Sequence, residues 1–419
     1  MNLEESISYI NQLASEKRGK ALIEPERLII KGAWEDIDYE EIATNSKFSR
    51  AYLQNKLAPQ LWRFLEGVLG IPISKKKLRD YFEELSSIEG YSAALLKIPG
   101  FIGRYELLQE LDEKIPNSKC VGIYGVGGIG KTALLSAWIS KSLSTKICWE
   151  KVVWSSSYSS SIRDSLSSVL ESIGYKVEAP ENLLRDFLRE ITERKLLIVI
   201  DSIELIYSAK YGSEAWTENR KILRTIIEAK HQSCIILIGR EILSELQIHS
   251  KNSSIELIKV GGLSVEESRI LFEEYELKDQ EHWNALIERY RGVPLALHSV
   301  AQYIEKNFDK SVAKYTEFQT LFVGSEVENL IKEQCLELNE SQRKLLAIFA
   351  SINQDEKYLR IKQIQKKWTG SGLLDSIKIL EEKSLIEPSD KESMAWTVQP
   401  VIIKFIRKTP ELFSNQELI

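Results

Sequence analysis

The chain contains the glycine-rich segment Gly125-Val126-Gly127-Gly128-Ile129-Gly130-Lys131-Thr132, a pattern that few folds accommodate. It matches G-x-x-x-x-G-K-[ST] and lies between a short apolar run, Val121 to Tyr124, and a helical stretch, Thr132 to Lys141. In a strand, glycine turn and helix of this order, backbone N–H groups and the helix N-terminus face one anion. The pattern therefore predicts a phosphate-binding loop with the residues Gly125, Gly127, Gly128, Ile129, Gly130, Lys131, Thr132 and Ala133.

Three more apolar runs follow at intervals long enough for helices: Val152 to Trp154, Lys195 to Ile200 and Cys234 to Ile238. Continuous apolar strands that alternate with helices indicate a parallel sheet covered on both faces. Pro99-Gly100 marks a break before this part of the chain. Residues 96–260 are therefore predicted to form an α/β domain of the P-loop NTPase type.

The other parts of the chain have mainly helical patterns. Residues 1–95 predict a helical bundle, in which Ser49 caps a helix that Pro59 should end or kink. Residues 261–330 predict a helical domain that begins with a capping box formed by Ser264 and Glu267.

Residues 331–419 predict three helices, two short β segments (Ser384 to Glu387 and Ala395 to Val398) and a last helix, which is the order of a winged helix. The expected fold is thus multidomain α/β, with a helical bundle, a parallel-sheet NTPase domain, a helical domain and a winged-helix domain.

Composition narrows the functional classes. The 419 residues carry 56 Lys plus Arg and 61 Asp plus Glu, so a basic nucleic-acid-binding surface would have to be local. The N-terminus has acidic residues where a signal peptide would have basic ones, and no apolar run approaches the roughly 18 residues of a membrane span. A cytoplasmic protein without membrane contact is expected.

The loop predicts nucleotide chemistry with Mg²⁺. Lys131 would neutralise the β- and γ-phosphates, and the Thr132 hydroxyl would bind Mg²⁺. Asp201 directly follows the apolar run that ends at Ile200, where a carboxylate can be the second metal ligand, although an Asp at a strand end can also simply begin a turn.

Two further residues are candidates for catalysis. Glu204 is a candidate base for activating water, or equally a solvated residue of the next helix. Arg240 follows another predicted strand and could contact the γ-phosphate, or be a surface residue at the strand end.

Five motifs occur in an order that resembles the STAND class of signalling ATPases, in its NB-ARC and NACHT branches. They are Phe101-Ile102-Gly103-Arg104, the glycine-rich loop, Asp201, Gly239-Arg240 and Arg291-Gly292-Val293-Pro294-Leu295-Ala296-Leu297. The resemblance covers roughly residues 98–410.

The resemblance implies a nucleotide switch that is closed with ADP and assembles with ATP. It places Ile102 and Arg104 against adenine, Pro294 on the nucleotide, and Gln399 of the winged helix near the ADP phosphates. It also implies a protein partner for sensing or output.

Two departures from the family pattern concern hydrolysis and the closed state. Ser202 stands where NB-ARC relatives usually have a second Asp, and Val398-Gln399-Pro400 replaces a Met-His-Asp motif. Any ATPase activity is therefore expected to be slow.

The N-terminal part has its own pattern. Tyr39 to Ala43, a break, and Ser49 to Leu53 resemble a helix-turn-helix similar to the front domain of some cyanobacterial STAND proteins. Eight basic residues between positions 47 and 79 could track DNA phosphates, whereas a protein-interaction module would fit equally well. The alternative function is thus a DNA-binding transcription regulator whose ATPase core controls its assembly, with residues 39–79 as the DNA contact.

Overall fold

The computed structural model describes residues 3–18, 20–69, 73–86, 101–143, 149–156, 161–177, 179–204, 213–241, 243–249, 254–351, 358–368, 372–389 and 392–413. No helix in these ranges combines the length and the apolar character needed to cross a bilayer.

The N-terminal part is helical: α1 (Leu3–Arg18), α2 (Glu24–Trp34), α3 (Tyr39–Thr44), a π-helical turn (Tyr52–Leu57), α4 (Ala58–Leu69) and α5 (Leu78–Ser86). Ser49 acts as the expected cap, since its hydroxyl accepts a hydrogen bond from the Tyr52 N–H at 3.3 Å. Pro59 is predicted to end or kink its helix, and the end does not occur, since α4 runs through the proline. A π-helical turn precedes the proline, in which the Ala58 N–H donates to the Leu53 carbonyl oxygen five residues earlier. This wider turn accommodates the proline ring, so the helix continues as α4.

A five-stranded parallel sheet forms the centre of the next part, in the order β2-β3-β4-β1-β5. Its strands are β1 (Cys120–Tyr124), β2 (Lys151–Ser156), β3 (Leu196–Asp201), β4 (Cys234–Gly239) and β5 (Ile255–Lys259). Its helices are α6 (Tyr105–Lys114), α7 (Lys131–Leu143), α8 (Ile162–Ser172), α9 (Leu183–Glu193), α10 (Glu214–Glu228) and α11 (Ser244–His249).

Burial explains which strands the sequence revealed. All residues of β3 and β4 are buried, so both read as continuous apolar runs. The strand β5 is not predicted, because it lies at the sheet edge beside β1 and its Ile-Glu-Leu-Ile-Lys sequence is only partly buried. In this order β4 lies between β1 and β3, so the carboxyl ends of these three strands are neighbours.

Five helices follow: α12 (Val265–Glu274), α13 (Trp283–Tyr290), α14 (Pro294–Asn307), α15 (Val312–Thr316) and α16 (Ser325–Leu336). The predicted capping box at α12 is present, with the Ser264 hydroxyl and the Glu267 carboxylate each accepting a backbone N–H of the other residue. The position 330/331, where a domain boundary is predicted, lies inside α16.

The C-terminal elements have the predicted order with one addition. They are α17 (Glu340–Ala350), β6 (Leu359–Arg360), α18 (Ile361–Lys367), α19 (Leu373–Glu382), β7 (Glu387–Pro388), β8 (Ala395–Thr397) and α20 (Pro400–Lys408). The added strand β6 has two residues, too few for a sequence pattern, and it completes a small antiparallel sheet in the order β6-β8-β7.

Candidate nucleotide site

The glycine-rich loop joins β1 to α7 and has the backbone that its glycines permit. Gly125, Gly128 and Gly130 have φ of 153°, 76° and 88°. A Cβ at Gly125 would lie 2.6 Å from the Val260 carbonyl oxygen, so a side chain is excluded there. Ala133 lies in the first turn of α7, directly after the loop.

Lys131 is enclosed by the loop. Its Nζ donates hydrogen bonds to the carbonyl oxygens of Gly125 at 2.8 Å and Val126 at 3.1 Å. Burial lowers the pKa of Lys131 to about 8, against the opposing effect of the Glu204 carboxylate. Lys131 is thus a largely desolvated cation at the first turn of α7, where an anion would gain most from it.

Thr132 and Asp201 meet as the sequence predicts. The Thr132 hydroxyl donates to Asp201 Oδ2 at 3.0 Å, and the Ser202 N–H donates to Oδ1 at 2.7 Å. Burial raises the pKa of Asp201 to about 6, although both hydrogen bonds oppose the shift.

This pair fits Mg²⁺. A hydroxyl and a carboxylate are hard oxygen ligands, and Mg²⁺ is commonly held by one or two carboxylates together with phosphate oxygens and water. Among the described residues there is no group of three His, Cys, Asp or Glu side chains that would form a metal site by itself. Thr132 and Asp201 would hold the metal here.

Glu204 and Arg240 form an ion pair across the ends of β3 and β4. Arg240 Nε lies 3.1 Å from Glu204 Oε1, and the Arg240 N–H donates to Oε2 at 3.3 Å. The Arg240 side chain also lies beside the loop, with Nε 3.9 Å from the position that a Cβ on Gly127 would occupy. Glu204 is therefore engaged by a cation at the loop, while its role as a base stays a prediction.

Arg104 is a buried cation that contacts the loop. Its N–H donates to the Glu267 carboxylate, and its Nη2 donates to the carbonyl oxygens of Ile129 and, at 3.2 Å, of Gly261. Within the described residues its Nη1 is buried and has no hydrogen-bond partner. A buried donor without a partner is costly, and an anionic ligand in the loop is one group that could satisfy it. Ile102, two residues earlier, is also buried.

Pro294 begins α14 beside the loop. The Leu295 N–H donates to the Gly128 carbonyl oxygen at 3.3 Å, and Pro294 Cγ lies 4.0 Å from the position of a Cβ on Gly130. The first turn of α14 thus packs directly on the phosphate-binding loop.

Gln399 is buried at the start of α20. Its carbonyl oxygen accepts hydrogen bonds from the N–H groups of Ile402 and Ile403. In the described part of the chain, no hydrogen bond joins its side chain to the glycine-rich loop, so its contact with a nucleotide stays a prediction.

Residues of α16 and of the segment after α19 surround Arg240, and none of them is predicted from the sequence. Leu330 Cβ lies 3.7 Å from the position of a Cβ on Gly127, and Glu333 Oε2 lies 3.5 Å from Arg240 Nη2. The Ser384 hydroxyl donates to the Arg240 carbonyl oxygen at 3.0 Å. No motif marks these side chains, because their roles depend on packing between distant segments.

Lys383 forms a second contact between the end of β4 and the C-terminal elements. Its Nζ lies 2.5 Å from a Glu241 carboxylate oxygen and 2.9 Å from a Glu337 carboxylate oxygen, and its side chain is 15% exposed. Burial raises the pKa of Glu241, and Lys383 opposes that shift. We use the name C-terminal clamp for Glu337, Lys383 and Ser384.

Arg291 extends the connection from the motif that contains Pro294. Its guanidinium lies 3.3 Å from Glu387 Oε2 in β7 and donates to the Thr397 hydroxyl in β8. Burial lowers the pKa of Arg291, and Glu387 opposes the shift. The same short segment therefore contacts the loop at one end and the small antiparallel sheet at the other.

Comparison with known proteins agrees with this geometry. Residues 104–276 match the profile of the NB-ARC domain, and residues 1–85 match that of the vWA-MoxR associated protein N-terminal HTH. A WD repeat-containing protein of Nostoc sp. is 26% identical over 338 residues, which are 73% of this chain. The chain spans about a quarter of the length of that relative, 26%.

One of the solved structures compared, with a TM-score above 0.5, shares the fold. A Walker-type ATPase of Pyrococcus abyssi superposes with a TM-score of 0.52 at 17% identity, covering 76% of this chain and 98% of the other. The ORC2 protein of Aeropyrum pernix has a TM-score of 0.41 at 13% identity, covering 73% and 92%. Loop geometry and profile agree: the chain carries an NB-ARC domain, a P-loop NTPase of the STAND type, together with an N-terminal helix-turn-helix domain.

Proposed function

We propose that the chain is an ATP/ADP-dependent switch that is closed with ADP and assembles with ATP, with Mg²⁺ bound by Thr132 and Asp201. The observation that carries this proposal is the contact between Arg240 and the C-terminal clamp, since Ser384 binds its carbonyl oxygen beside the loop. We assign residues 96–260 as the NTPase domain, followed by a helical domain and a C-terminal winged helix, with α16 spanning the predicted boundary at 330/331.

The mechanism rests on competition for Arg240. Its guanidinium pairs with Glu204 and Glu333, so a displacement of Arg240 toward the loop weakens its contact with α16. Bound ATP supplies a γ-phosphate whose charge competes with both carboxylates for Arg240. A γ-phosphate can bind Arg240 only in the arrangement in which the guanidinium has moved toward the loop. ATP therefore has different affinities for the two arrangements, which is what a ligand needs in order to shift a conformational equilibrium.

In this proposal Pro294 and Gln399 hold the closed state from the helical domain and the winged helix, and Ile102 and Arg104 lie against adenine. Hydrolysis with Glu204 as base would be slow and would reset the switch. The contact of Leu295 with Gly128 supports the role of the Pro294 segment.

We expect ADP to keep the chain monomeric and a slowly hydrolysed ATP analogue to raise its mass. The reason is that only the ATP analogue has a γ-phosphate, which draws the Arg240 guanidinium away from Glu333 and weakens its contact with α16. Multi-angle light scattering at saturating nucleotide measures the mass in each state, and the Lys131→Met variant with the analogue is the control. Equal masses of the wild type in the two nucleotides would contradict the switch.

A second candidate function is a DNA-binding regulator, favoured by the helix-turn-helix profile at residues 1–85. Lys56 in the π-helical turn and Arg63 on α4 are both exposed. Lys47, in contrast, pairs with Glu24 at 2.6 Å, and Arg50 pairs with Glu40. These ion pairs reduce the positive charge that is available to DNA phosphates.

If this second candidate holds, fluorescence anisotropy with a labelled DNA duplex should show an affinity that falls more than about tenfold between ~50 and ~200 mM salt. Lys56→Glu with Arg63→Glu should remove it, while Lys31→Glu, on α2, should not. No saturable binding at the lower salt concentration would leave the N-terminal domain as a protein-interaction module.

A further inference from the structure

A large cavity lies between the helices α12 to α15 and the C-terminal elements β8 and α20, with a volume of about 1670 Å³. Its lining includes Leu263 and Ile287 on one side and Trp396 and Ile403 on the other, and it includes no residue of the glycine-rich loop. The volume exceeds the roughly 300–1,000 Å³ of an ordinary small-molecule pocket, which favours an elongated ligand over a compact one. This cavity is a site distinct from that of the nucleotide.

Aromatic side chains form much of its wall. The rings of Tyr303 and Phe322 stack with centroids 4.0 Å apart, and both line the cavity. Phe318 lines it as well, although 65% of this residue is exposed, and its ring packs edge-on against Phe308. An exposed aromatic beside an open apolar cavity is typical of a surface that a ligand covers.

The charges of the lining residues favour an anion. Five cationic residues line the cavity against two acidic ones, and the cations are Arg289, Arg291, Lys404, Arg407 and Lys408. Lys408 pairs with Glu328 at 2.6 Å. Lys404 instead donates to the Thr320 hydroxyl at 3.2 Å, and within the described ranges no carboxylate lies at ion-pair distance from it.

We propose that this cavity binds an elongated amphipathic anion, an acyl chain with a carboxylate or phosphate head group. The acyl chain of the ligand lies along Tyr303 and Phe322, and its head group binds at Lys404 on the rim. Apolar burial supplies most of the affinity, and the rim charge selects the anion over a cation with the same tail. Such a ligand contacts both the helical domain and the C-terminal elements, so it stabilises the arrangement in which they are packed together.

The test uses isothermal titration calorimetry of the whole chain without nucleotide, with dodecanoate, dodecyl phosphate and dodecyltrimethylammonium below their micellar concentrations. We expect saturable binding of one anion per chain and an affinity for the cation that is at least about tenfold weaker. The two anionic probes separate a carboxylate from a phosphate ligand.

Two variants locate the site. Lys404→Glu changes an exposed residue, so the chain should fold, and it should weaken anion binding about tenfold. Ile403→Trp introduces a larger side chain into the lining and should weaken binding of both anions, whereas Lys378→Glu on α19, outside the lining, should not change it. Absence of saturable anion binding, equal affinity for the cation, or a K404E variant that binds like the wild type would overturn the proposal. Because nucleotide is absent, these outcomes do not depend on the switch.

Discussion

Replacing Lys131 by Met should lower the affinity for ADP and ATP by about a hundredfold or more. The Nζ of Lys131 is enclosed between the carbonyl oxygens of Gly125 and Val126, at the N-terminus of α7. A charge-assisted hydrogen bond to a phosphate in such a desolvated place is worth roughly 1.5–3 kcal/mol, and its loss removes the positive charge as well. Equilibrium titration with a fluorescent ADP measures the change.

Lys141→Met is the matched control for this prediction. Lys141 lies on the same helix, is 48% exposed in its side chain and pairs with Asp112 at 2.9 Å, away from the loop. The control should bind ADP as the wild type does. A folded Lys131→Met variant with unchanged affinity would refute the assignment of the phosphate-binding loop.

The second large effect is expected at the C-terminal clamp. Lys383→Met leaves Glu241 and Glu337 facing each other without their shared cation, and Glu241 is 25% exposed in its side chain. Removing one partner of a largely buried ion pair should destabilise the packing of α16 and α19 on the end of β4 by roughly 2 kcal/mol. A change of this size raises the equilibrium constant for local opening of α16 about thirtyfold. Hydrogen exchange of the α16 amides measures it.

Two further variants separate a specific pair from a general loss of stability. The double variant Lys383→Met with Glu241→Gln removes one of the two uncompensated charges, the more buried one, and should recover part of the protection of α16. Lys378→Met, on the exposed face of α19, should leave the exchange unchanged. If Lys383→Met and Lys378→Met behave alike, Lys383 does not connect the nucleotide site to the C-terminal elements.

Local pattern was sufficient for much of the fold. The strands β3 and β4 are fully buried, so their apolar runs were visible, and the capping box at Ser264 was read from two residues three positions apart. The strand β5, which is not predicted, is a partly buried edge strand whose second residue is Glu256. The helix continues past Pro59 after the π-helical turn Tyr52–Leu57, and no periodicity in the sequence marks such a turn.

Local pattern alone predicts the phosphate-binding loop and the placement of Thr132, Asp201 and Arg240 at one edge of the sheet. These follow from glycine positions and from strand ends that a parallel sheet must bring to one edge. Tertiary packing, in contrast, pairs Arg240 with Glu204, buries the Arg104 guanidinium at the loop, and brings Lys383 to Glu241 across 142 residues of sequence. Contacts between segments so far apart depend on how whole helices pack, and that geometry leaves no local pattern in the chain.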